Sequence, residues 1–171
     1  KLCFKYPSTS ISAFVPPLFS EVKECLTTEI TTYIDALKIK ISEKAQLKRY
    51  YNKVWNLVTS GEIQLECDLH FTDGQIKYIV DFKSGFGSNE KGNTNRLLLV
   101  GSIYQNIETE NYKCLIFVRS TDNNHYLTTL QNSGVWETSC GADTYSKIHH
   151  FTGFDIHNWI VQNIDWMNDF A

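Results

Sequence analysis

Residues 63–83 read IQLECDLHFTDGQIKYIVDFK, and the fold turns on how they are paired. Ile63, Leu65, Cys67, Leu69 and Phe71 alternate with Glu62, Gln64, Glu66, Asp68 and His70. Period two is the spacing of a strand with one apolar face. Asp73-Gly74 supplies a hairpin turn, and Tyr78, Val80 and Phe82 carry the apolar face onto the return strand. With a two-residue turn, Glu66 faces Asp81, Asp68 faces Ile79 and Gln64 faces Lys83. A four-residue turn that keeps the ladder in phase leaves the faces unchanged. Gln64, Glu66, Asp68, Ile79, Asp81 and Lys83 then share one side. The other side is almost purely apolar, which fixes the register, and Cys67 belongs to it as a core thiol.

The flanks extend this hairpin into an α/β chain. Residues 1–19 hold all three prolines and a Ser-Thr-Ser cluster, and read as an irregular arm. Ser20 is the expected N-cap of a helical region ending near Ser60-Gly61, either one long helix or two with a restart at Ser42-Glu43. After the hairpin, residues 84–95 are rich in Gly, Ser and Asn and read as a loop. A helix over 96–107 follows, then Tyr112–Val118, a nearly all-apolar strand covered on both faces. One or two short strands are expected within 125–138, and a last helix from about Phe154 to Met167 with Trp159, Ile160 and Ile164 inward. No repeat or linker breaks the chain, so residues 1–171 are expected to form one domain.

Carboxylates facing each other across a sheet destabilise it and raise each other's pKa. A divalent cation removes that cost. Mg²⁺ takes one or two carboxylates, waters and substrate phosphate oxygens. A lysine two residues beyond Asp81 points at the same metal-bound water or phosphate. Together they are the equipment for hydrolysing a phosphodiester. The competing reading is an Asp81–Lys83 ion pair on an exposed sheet face, which contributes little.

Asp68, then Ile79-Val80-Asp81-Phe82-Lys83-Ser84-Gly85, resembles the PD-(D/E)xK nuclease superfamily, over roughly residues 20–120. Two features depart from its pattern. Cys67 stands where the family has proline, and only two strands of its three-stranded meander are legible. The resemblance implies a restriction-endonuclease-like fold, a central mixed sheet flanked by helices. It also implies DNA cleavage that depends on Mg²⁺, with Mn²⁺ able to substitute. By position Asp68 and Asp81 are metal ligands, Lys83 is the catalytic lysine, and the Phe82 carbonyl is a further ligand. Glu66 and Gln105 are accessory. Lys91, Asn93, Asn95 and Arg96, in the expected loop and at the start of the helix, are placed to meet double-stranded DNA. Within the superfamily the loop composition favours a type II restriction endonuclease, and the resemblance implies that it acts as a homodimer. A RecB-like or junction-specific repair nuclease is one alternative, and a non-catalytic module with an acidic sheet face another.

Composition sets the outer limits. The chain has 171 residues, 42% apolar and 20% charged, a folded rather than a disordered balance. Its net charge is −3, yet residues 1–60 carry nine Lys/Arg against five Asp/Glu, so a basic face can sit on an acidic whole. The five cysteines lack any CxxC pair, which argues against a zinc ribbon or a redox motif. They fit a reduced, cytoplasmic setting. No apolar run is long enough to span a membrane. Pro16-Pro17 interrupt the early apolar stretch, so no signal peptide is expected. Gly85-Phe86-Gly87 lacks the spacing of a nucleotide loop. His149, His150 and His157 read as surface histidines.

Overall fold

A computed structural model describes residues 1–58 and 63–165, with backbone only at 57 and 58. The chain forms two compact units, residues 16–65 and the remainder. No helix among the described residues is long and apolar enough to cross a membrane.

The larger unit is an α/β structure built on a five-stranded mixed sheet, in the order β1 (Ser12–Ala13), β2 (Leu69–Thr72), β3 (Lys77–Lys83), β4 (Tyr112–Val118) and β5 (Trp136–Cys140). The β1–β2 and β2–β3 pairs are antiparallel, whereas β3–β4 and β4–β5 are parallel. Parallel neighbours need a crossover. Helix α4 (Lys91–Gln105) supplies the first, and α5 (His125–Asn132) the second. Helix α1 (Leu2–Lys5) precedes the sheet in the chain, and α6 (Ala142–Thr152) and α7 (Ile156–Asn163) follow it.

The hairpin closes with four residues, Thr72 pairing with Lys77 and Leu69 with Val80. Asp73 builds the turn by accepting from the Gln75 and Ile76 amides (2.9 Å each), and Gly74 takes φ +94°, where a side chain would be strained. Relative to a two-residue turn, the register shifts by an even step, so the faces stay as expected. Phe71, Tyr78, Val80, Leu115, Phe117 and Ile148 form one core, with Leu69, Phe82, Phe4, Ile11 and Phe151 against it. By alternation His70, Ile79, Asp81, Cys114, Ile116 and Val118 point the other way, toward α4. Cys114 to Val118 are all buried, as a strand covered on both faces requires.

Several expected boundaries move. The regular ladder of β2 begins at Leu69, so residues 63–68 lie outside it. The arm is not wholly irregular: residues 2–5 are helical, and Ser12-Ala13 pair with the outer edge of β2, though two helices separate them from it in the chain. The expected loop ends at a 3₁₀ turn, Ser88–Glu90, so Lys91–Asn95 open α4. Residues 125–132 are helix rather than strand, because the Asn124 side chain caps the Tyr126 amide (3.0 Å) and Leu127 and Leu130 bury one face. The last helix covers Ile156–Asn163, with Trp159 47% exposed instead of inward; Met167 lies outside the described residues.

Helix α4 approaches β5 closely through Gly101. A Cβ there would lie 2.3 Å from Val135 Cγ1 and 2.5 Å from Trp136 Nε1. Trp136 is 3% exposed and donates to the Leu97 carbonyl (2.8 Å), so it has little room to retreat. Gly101→Ala is expected to lower stability by about 1–3 kcal/mol, the usual cost of overpacking, as a lower urea midpoint.

The smaller unit is a helical pair, α2 (Phe19–Ala36) and α3 (Ile41–Val58). Its helices start one residue before their expected caps. Ser20 is inside α2, where Glu21 accepts from the Leu18 amide (2.8 Å), and Glu43 does the same for Lys40 (2.9 Å). Arg49 and Lys53 lie on the exposed side of α3, while Lys48 pairs with Asp35 at 2.7 Å.

Candidate active site

The candidate site forms where the β2–β3 ladder stops. Lys83 O accepts from the Arg119 amide on the β4 side (2.9 Å), so Phe82, one residue back, turns its N–H and C=O toward β2. A continued ladder would pair Phe82 with Cys67. Two side chains prevent it. The Asp68 carboxylate takes the Phe82 N–H through Oδ2 at 2.9 Å. The Cys67 N–H, which would have reached the Phe82 carbonyl, donates to His70 Nε2 at 3.2 Å. Burial pushes the His70 pKa down against the opposing effect of Glu66, which keeps the ring neutral and able to accept. The Phe82 carbonyl therefore loses its ladder donor.

Asp68 thus grips the main chain of the residue between Asp81 and Lys83. Its Oδ1 accepts from Lys1 Nζ at 2.9 Å. Burial raises the Asp68 pKa, but the Phe82 amide, the Lys1 ammonium and the charge of Lys83 outweigh it and hold the carboxyl below its ordinary value. The contact therefore stabilises the fold above the unfolded carboxyl pKa of about 4, and that contribution is lost as pH falls through the lower folded value. The stability gap between wild type and Asp68→Asn, from urea midpoints, should be fully open near pH 6 and close as pH falls below about 4.

Asp81 is 2% exposed, which overturns the reading of a solvated ion pair on an open sheet. Lys83 Nζ lies 2.6 Å from its Oδ1, and Arg96 Nη2 lies 3.1 Å from Oδ2. The lysine neutralises charge but is off the line of a hydrogen bond, so buried Oδ1 has no aligned donor. That misaligned oxygen, the freed Phe82 carbonyl and the nearby Asp68 carboxylate are hard oxygen donors of the kind Mg²⁺ takes.

Other expected site residues fall differently. Glu66 is exposed and offers Arg96 its backbone carbonyl (3.5 Å) rather than its carboxylate to Asp81. No group of three or more His, Cys, Asp or Glu side chains suited to a metal ion occurs among the described residues. Gln105 ends α4, about 13 Å along the axis from Arg96, and donates to the Gly134 carbonyl at 3.2 Å. Lys91 and Asn95 are exposed on the first turns of α4, and Asn93 bonds Glu90 at 2.8 Å. Arg96 reaches inward to Asp81 instead of standing free for DNA. Cys67 sits beside Asp81 and Arg96, not in the Phe71 core. Burial pushes its thiol up to about 11, with Asp81 and Asp68 adding to the rise and Arg96 opposing it, so it is no nucleophile at neutral pH. In the Gly85-Phe86-Gly87 loop, the Phe86 amide is spent on Asn123 Oδ1 (2.9 Å) and is not available to a phosphate.

Sequence reasoning did not connect Lys1 to Asp68 or Arg96 to Asp81, and no local signal marks contacts between such distant positions. Compared with family models, with curated proteins and with solved structures, the chain matches none.

Proposed function

We propose that this chain is a Mg²⁺-dependent DNA endonuclease with a restriction-endonuclease-like fold. One observation carries the reading: Asp68 is anchored on the main chain between buried Asp81 and Lys83, at the point where the Phe82 carbonyl leaves its ladder. The element order supports it. Two helices precede the antiparallel β2–β3 hairpin, and a helical crossover follows it into parallel β4, with Asp68 just before β2 and Asp81 within β3. This is the arrangement implied by the resemblance to the PD-(D/E)xK superfamily.

Asp68, Asp81 and the Phe82 carbonyl would hold the ion. When bound, Mg²⁺ polarises the phosphoryl oxygen and lowers the pKa of attacking water. Lys83 is positioned by Asp81 so that its ammonium orients that water and offsets charge developing on the phosphate.

A type II restriction enzyme is the specific activity we favour, with two copies cutting the two strands. The acidic-face binding module is disfavoured, because Asp81 is too buried for a protein partner to reach. Incubation with plasmid DNA and Mg²⁺, followed by end mapping, decides. Discrete fragments with constant ends support restriction, and progressive loss of ends indicates a RecB-like exonuclease. Cutting confined to junctions indicates a resolvase. No cleavage with Mg²⁺ or Mn²⁺ overturns the nuclease reading.

A further inference from the structure

We propose that Arg96 is a guard cation. It neutralises Asp81 while no divalent ion is bound, and turns to a phosphate oxygen of the substrate when an ion takes that carboxylate. The inference rests on reading Asp81 as a metal ligand.

Asp81 has two cations where one would balance it. Lys83 is the closer, at 2.6 Å, with a side chain only 19% exposed. Arg96 is 3.1 Å away, with a side chain 40% exposed. Its bonds to Asn93 Oδ1 (3.4 Å) and to the Glu66 carbonyl (3.5 Å) are at the long limit, and it also meets the Cys67 thiol. A divalent ion at Asp81 would face both positive charges, and the repulsion between them is strong beside so buried a carboxylate. The more distant and more exposed of the two cations is the one that moves. A guanidinium released there is matched to phosphate, which it can bind through two parallel N–H groups. Lys83 would remain in place for the chemistry.

The guard and the ion compete for one carboxylate, so removing the guard must tighten ion binding. In titration calorimetry of the full chain, Arg96→Gln should bind Mn²⁺ about tenfold more tightly than wild type, and Arg96→Lys about as wild type does. Duplex DNA binding measured by anisotropy in Ca²⁺ should weaken about tenfold in Arg96→Gln, with little change in EDTA. Wild type offers a further readout that needs no variant. Phenylglyoxal modification mapped by mass spectrometry should show Arg96 becoming more reactive on adding Mn²⁺. Unchanged or weaker Mn²⁺ affinity in folded Arg96→Gln, or Arg96 reactivity that does not rise, overturns the guard. Asp81→Asn separates the two levels. If it binds Mn²⁺ as wild type does, the metal site itself is wrong. If it loses binding while Arg96→Gln leaves affinity unchanged, only the guard is wrong.

Discussion

Asp81→Asn is expected to reduce metal-dependent DNA cleavage by about a thousandfold or more while the protein still folds. The size follows from losing a preorganised charge in a site shielded from water. The isosteric amide keeps the shape of the side chain, so β3 retains its pairing with β4. It removes the carboxylate that ion-pairs with both Lys83 and Arg96. Two neighbouring cations then lose their shared ion-pair partner, and stability falls by about 1–3 kcal/mol. Circular dichroism and a urea melt check the fold, and a plasmid assay across Mg²⁺ concentrations checks the activity. Cleavage that recovers fully at high Mg²⁺ would mean that Asp81 contributes affinity alone. Undiminished cleavage at all concentrations would remove Asp81 from the chemistry.

The apolar face of the hairpin was readable because it depends only on parity. Leu69, Phe71, Tyr78, Val80 and Phe82 stay together under any even shift of register, and the observed turn differs from the shortest one by such a shift. β4 was readable because a run of five apolar residues has nowhere to go but between two layers. What stopped β2 at Leu69 was not readable. Asp68 and His70 replace two main-chain bonds with side-chain ones, and alternation cannot show a side chain competing with the ladder. The same competition moved Cys67 off the apolar face. β1 was missed because two residues, Ser12 and Ala13, carry no period. α5 was missed because Tyr126, Thr128 and Thr129 favour strands, whereas the cap at Asn124 and the burial of Leu127 and Leu130 decide for helix. The hairpin placed Asp68, Asp81 and Lys83 near one another, but Asp68 gets there by bonding the Phe82 amide from outside the ladder. The surplus cations Lys1 and Arg96 were not readable, since only the folded chain brings them to those carboxylates.

Lys83→Gln separates holding an ion from using it. The amide retains much of the side chain's length and removes its charge. Asp68, Asp81 and the Phe82 carbonyl are untouched, and Arg96 still balances Asp81. Mn²⁺ affinity should therefore be equal to or somewhat tighter than that of wild type, because one competing cation is gone. Cleavage at saturating metal should nevertheless fall by about a hundred- to a thousandfold, since no ammonium remains to orient water or meet the phosphate charge. The loss should lie in kcat with KM for DNA little changed, the pattern of an interaction made chiefly in the transition state. A purely structural Lys83 predicts the opposite division: a lower melting temperature from an under-compensated Asp81, and a cleavage rate per folded molecule unaltered. Single-turnover rates normalised to folded protein, set beside calorimetric metal binding, distinguish the two.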